Sequence, residues 1–115
     1  MGKLLATCNL EDGRPDRHEA ALRLAHALHG ARQQHSTFLK VIHGYGSSGA
    51  GGVLRFVAWN ELRQAKERGE IRAFVAGEQF RISDERTWEL LKKYPELKHD
   101  PDFGRGNKGI TLVWL

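Results

Sequence analysis

The sequence is poor in the residues that staple small proteins together. One cysteine, Cys8, stands among 115 residues. That excludes an internal disulfide and any cysteine zinc cluster. Three prolines in the whole chain leave no proline-rich linker. No apolar run approaches the ~20 residues that a membrane-spanning helix needs. The first residues hold no apolar stretch with a small-residue cleavage site, so the expected location is cytoplasmic. Repeats and low-complexity tracts are missing as well. What remains is one domain's length of chain, with 40% hydrophobic and 28% charged residues. A chain of that length and balance can bury a core without covalent help.

Glycine is what the sequence has in plenty. Five glycines fall within the nine residues from Gly44 to Gly52. They follow a short run of β-formers, Phe38 to Ile42, and precede a helical pattern. A strand end, His43, bare backbone amides and a helix start therefore converge. The amides of a helix's first turn are unpaired and its dipole favours negative charge, which suits a phosphate.

Around this stretch the chain alternates. Lys3 to Leu10 predicts a strand, and Glu11-Asp12-Gly13-Arg14-Pro15 a turn. Asp16 and Glu19 have the spacing of a capping box for a helix with Ala21, Leu24, Ala25, Leu28 and Ala31 on one side. A second strand, Thr37 to His43, leads through the glycines to a helix from Gly52 to Arg68. Its apolar stripe is Leu54, Val57, Ala58, Leu62 and Ala65. Phe56 and Trp59 lie off the stripe and are expected to be partly covered by the later insert. Ile71 to Val75 forms a third strand. Residues 77–104 read as an acidic helical insert, capped at Ser83, with Trp88, Leu90 and Leu91 inward. Ile110 to Leu115 is almost all β-former, which places it inside the sheet.

The order strand-helix-strand-helix-strand-short helix-strand predicts an α/β, two-layer sandwich. About four mostly parallel or mixed strands carry two main helices on one face, in a single domain over residues 1–115. The net charge is +4. Residues 77–104 hold seven acids and five bases, so the rest of the chain carries +6. A basic body with an acidic insert fits a nucleic-acid binder.

The residues bear on several chemistries. Gly44-Tyr45-Gly46-Ser47-Ser48-Gly49 satisfies G-x-G-x-x-G, but it follows the second strand and no ribose-binding acid is well placed. No Gly-Lys-Ser/Thr follows, as a nucleotide P-loop would need. His26 and His29 have metal-ligand spacing on the first helix but lack a third ligand nearby, so no metal site is expected. Cys8 reads as a small buried hydrophobe.

Val41-Ile42-His43-Gly44-Tyr45-Gly46, with further glycines and then Val53-Leu54-Arg55 opening a helix, resembles the signature of the small MutS-related (Smr) domain family. The closing Asn107-Lys108-Gly109 turn and last strand are similar too. The resemblance covers residues 3–76 and 105–115, and the insert marks a divergent subgroup. It implies a compact fold like the C-terminal domain of bacterial translation initiation factor three. It also implies binding of RNA or DNA and, in some members, endonucleolytic cleavage, including of messenger RNA on stalled ribosomes. Carried over, His43, Gly44 and Gly46 take the loop positions and Arg55 a phosphate contact.

One place departs from the pattern. Many active members end the first strand with Leu-Asp-x-His-Gly, whereas this chain has Cys8-Asn9-Leu10-Glu11-Asp12-Gly13. Asn9 stands at the aspartate's position, and an amide is no carboxylate base.

Three functions stay open. The first is phosphate binding through His43, Gly44, Tyr45, Gly46, Ser47, Ser48, Gly51, Gly52, Arg55 and Lys108. The second is an endonuclease using His43 with Glu11 as catalytic residues. The third is a protein-interaction module presenting the insert. No cofactor is expected, and a divalent metal enters only with nuclease activity. The expected partners are RNA or DNA, ribosome-associated by the resemblance, and a protein on the insert; no membrane partner is expected.

Overall fold

The computed structural model describes residues 2–45 and 51–115. Strand β1 (Leu5–Asn9) leads to helix α1 (Arg17–Gln33), strand β2 (Phe38–Ile42), helix α2 (Gly51–Glu67) and strand β3 (Ala73–Ala76). A 3-10 turn (Gly77–Gln79), helix α3 (Glu85–Lys93) and a second 3-10 turn (Pro95–His99) then precede strand β4 (Ile110–Trp114). No helix among the described residues is long and apolar enough to cross a membrane.

Local signals set the element ends. The Asp16 side chain accepts the Glu19 amide at 2.8 Å and starts α1. Gly69, at φ 75°, closes α2, with the Glu70 amide reaching back to the Ala65 carbonyl. Helix α3 is capped by Asp84, not Ser83: the Asp84 carboxylate accepts the Thr87 amide and hydroxyl.

The sheet order is β1-β2-β4-β3. Strands β1 and β2 pair in parallel, while β4 runs antiparallel to both β2 and β3. The sheet is therefore mixed, with β4 in its interior as its unbroken run of β-formers demands. The C-terminal ends of β1, β2 and β3 and the start of β4 share one rim.

Helices α1 and α2 cover one face, where Leu24, Leu28, Ala58, Leu62 and Ala65 meet Cys8, Leu39, Val41 and Val113. The segment 77–104 covers the other and adds a third layer to the expected sandwich. There Phe80, Leu90, Leu91 and Leu97 pack on Phe38, Val75 and Leu112. Tyr94 stands edge-on to Phe38, with ring centroids 5.2 Å apart. Trp88 faces outward and is 47% exposed, contrary to expectation, while Thr87 is buried instead. Because the insert sits opposite α2, it does not cover Phe56, which is 73% exposed.

Lys40 points into that third layer from the middle of β2. Its ammonium lies 2.6 Å from both Asp100 and Asp102. Burial alone would lower its pKa, but the hydrogen bonds and charges of the two aspartates outweigh that and raise it. The tail of the insert is thereby fastened to a central strand.

Candidate functional site

Most of the residues that the sequence marks meet at the common rim. The turn after β1, the chain leaving β2, the 3-10 turn after β3 and the turn before β4 all lie there. Ligands of open α/β sheets gather at the C-terminal ends of strands for the same reason: the loops converge.

The last turn packs directly on the glycine loop. The amides of His43 and Gly44 both donate to the Gly109 carbonyl, at 2.9 and 3.0 Å. Asn107 shapes that turn, its side-chain oxygen accepting the Gly109 amide at 2.9 Å. The Asn107 amide group in turn donates to Asp102, the partner of Lys40. A polar chain thus runs from the insert's tail to the mouth of the loop. Gly44 holds φ 72°, a value that side chains resist. A Cβ on Gly109 would press on the Asn107 side-chain oxygen at 3.1 Å, while Gly44 and Tyr45 would lie at ordinary contact distance. The Gly44 amide is committed inside the protein, so Gly44 contributes a bend here and not the free donor that its place in the sequence suggests.

His43 continues the inward face of Leu39 and Val41 and is 0% exposed. Its Nδ1 lies 2.5 Å from the Gly44 carbonyl oxygen and its Nε2 lies 2.8 Å from the Thr111 hydroxyl. The Trp59 indole also reaches that hydroxyl, at 3.0 Å. Donor rules order the chain. An indole N–H only donates and a carbonyl only accepts. Trp59 therefore donates to Thr111, Thr111 to Nε2, and Nδ1–H to Gly44. The ring is neutral in this arrangement. Burial pushes its pKa below the ordinary histidine value; the Gly44 carbonyl offsets part of this, and the Arg55 guanidinium adds to the depression.

Arg55 stands on the first turns of α2. Its guanidinium pairs with Glu78 at 2.5 Å, donates to the Lys108 carbonyl and lies 4.1 Å from the centre of the Trp59 ring. Glu78 is held below the usual carboxylate range: burial opposes the shift, and the Arg55 hydrogen bond overcomes it. Arg55 is thus fixed in direction and largely neutralised by its partner. Lys108 and Tyr45 are exposed beside it in the chain's last turn and first loop residue.

Glu11 is exposed on the turn after β1, where its amide donates to the Asn9 side chain at 2.9 Å. Arg23 of α1 ties this turn down by donating to the carbonyls of Asn9 and Asp12. No hydrogen bond joins Glu11 to His43 among the described residues, and both ring nitrogens have other partners. Gly46, Ser47 and Ser48 lie outside the described residues, while Gly51 and Gly52 open α2. His26 and His29 lie exposed on α1, and no group of three metal-ligating side chains occurs among the described residues.

Sequence reasoning missed Trp59, Thr111, Glu78 and the Lys40–Asp102–Asn107 chain. A signal existed for two of them. Lys40 and Thr111 are polar residues in otherwise apolar strands, and a buried polar group needs a partner.

Among solved structures, the chain is similar to the crystal structure of the Smr domain of Thermus thermophilus MutS2. The superposition has a TM-score of 0.56 with 22% identity, over 96% of this chain and 95% of that one. The chain folds as an Smr-like domain. No family model and no curated protein sequence matches it. Within the Smr-like fold, the buried His43 and the Asn107–Gly109 turn together hold Gly44, the first glycine after β2.

Proposed function

We propose that this Smr-like domain binds the phosphate backbone of RNA or DNA at the rim formed by the glycine loop, the start of α2 and the Asn107–Gly109 turn. The observation that carries the reading is the loop's support. Gly44, where the glycine-rich stretch begins, is held by the Gly109 carbonyl at its amide and by the neutral His43 ring at its own carbonyl. Amides of a helix's first turn have no partner within the helix, so the start of α2 and the exposed Lys108 offer donors and positive charge. In this reading Gly46, Ser47, Ser48, Gly51 and Gly52 contribute amides and hydroxyls. Tyr45 flanks the bound strand, and Arg55 orients its remaining N–H groups toward it. His43 is a positioning residue: its Nδ1 proton holds the Gly44 carbonyl away from an incoming phosphate.

Fluorescence anisotropy with single- and double-stranded RNA and DNA tests this. Binding should weaken steeply with salt and depend little on sequence. Lys108→Glu should weaken all ligands alike and lower the salt slope by about one. No measurable binding of any ligand at low salt would end the reading.

Cleavage with Glu11 and His43 is the rival. Strand scission by the wild type that disappears in Glu11→Gln would replace binding with nuclease activity. A protein partner on the insert draws on exposed Ile82 and Trp88. Capture of such a partner should be lost in Trp88→Ala while nucleic-acid binding persists.

A further inference from the structure

Phe56 is the most exposed of the large apolar side chains among the described residues. Phe38 and Phe80 are fully buried, while Phe56 is 73% exposed on the second turn of α2. It lines an open groove of about 450 Å³ together with Val53, Val57, Asn60 and Arg17. Arg17 is the first residue of α1, so the groove runs between the two helices from the end where α2 leaves the glycine loop. Arg63 extends it, lying 3.5 Å from the Asn60 side-chain oxygen. A flat ring, two aliphatic walls, one amide and two guanidinium groups therefore share one surface, without a carboxylate among them.

Resting on the nucleic-acid reading above, we propose that this groove takes an unpaired base of a single strand, stacked on the Phe56 ring. The chemistry matches the occupant. A base offers a π-face to phenylalanine and polar edges to Asn60, while its flanking phosphates meet Arg17 and Arg63. Such platforms accept any base, because every base has a π-face. A duplex keeps its bases stacked internally and gains nothing from the ring. The domain therefore prefers single strands, with the base on α2 and its flanking phosphates on Arg17 and Arg63.

The test compares wild type, Phe56→Ala and Phe56→Trp on a short single strand, on the same strand with one abasic position, and on a duplex. Phe56→Ala should weaken single-strand binding about tenfold. It should leave duplex binding and the salt slope unchanged, and Phe56→Trp should restore affinity. The abasic strand should lose a similar factor with wild type and little more with Phe56→Ala, since both changes remove one contact. An abasic loss that is undiminished in Phe56→Ala overturns the proposal, as does equal binding of single strand by wild type and Phe56→Ala. A dimer in wild type that dissociates in Phe56→Ala would assign the groove to a second copy of the chain instead. Absence of any binding by wild type would remove the nucleic-acid reading itself, a different outcome from an indifferent Phe56. The ring is solvent-exposed, so the alanine variant should fold as wild type does, which circular dichroism checks.

Discussion

At the scale of single residues, the site turns on which way one proton points. His43 donates from Nδ1 and accepts at Nε2 because Thr111 takes the Trp59 proton and passes its own on. Protonating the ring would set Nε2–H against the Thr111 hydroxyl hydrogen, which would then have to turn away and find another acceptor. The lowered pKa of His43 gives the sign of the pH effect. An unfolded chain binds the proton near 6.5, and the folded chain binds it only below that. The contribution to stability is thus complete above about pH 6.5 and declines as pH falls from there toward the lower folded value. Urea midpoints at pH 7.5 and 5.5 should show this fall, and His43→Asn, less stable throughout, should show a shallower one. Thr111→Val keeps the shape but strands the indole N–H and Nε2. It should cost about 2 kcal/mol, read as a lower denaturation midpoint with an unchanged slope.

At the scale of elements, the insert has become a layer of the fold. Its apolar side chains cover Phe38, Val75 and Leu112, and its aspartates neutralise Lys40. Lys40→Ala would leave two carboxylates beside an apolar sheet face, a loss of about 3–5 kcal/mol by calorimetry or urea titration. Combining Lys40→Met with Asp100→Asn and Asp102→Asn should recover most of it, because no charge is then left alone. Gly77 marks the place where the insert leaves β3. A Cβ there would lie 1.8 Å from the Asn107 carbonyl oxygen. Gly77→Ala should therefore shift the Asn107–Gly109 turn and weaken nucleic-acid binding as well as stability, by about 2–3 kcal/mol in the latter.

At the scale of the whole molecule, the sheet has two covered faces, and both covers are required. Removing residues 77–104 exposes a central apolar strip and frees an uncompensated lysine. The shortened chain should lose its cooperative thermal transition and aggregate, even though both main helices and all four strands remain. The insert is therefore part of the fold and not only an addition to it. Net charge divides along the same line. In the proposed function the basic body meets the ligand, and part of the insert's acidity is spent internally on Lys40 and Arg55.

Periodicity and turn chemistry in the sequence determined the element order, the two caps at Asp16 and Gly69, the interior place of the last strand and the glycine loop's position after β2. These follow from short-range preferences that a single sequence carries. Only the tertiary structure decided what covers the second sheet face, why Lys40 and Thr111 sit in apolar strands, and that His43 is enclosed. The settings of Lys40, Thr111 and His43 depend on partners more than 50 positions away, Asp100 and Asp102 for Lys40, Thr111 for His43 and Trp59 for Thr111. Contacts of that range leave no local pattern. The same is true of Phe56: its place off the apolar stripe of α2 was readable, but its exposure depended on which face of the sheet the insert chose.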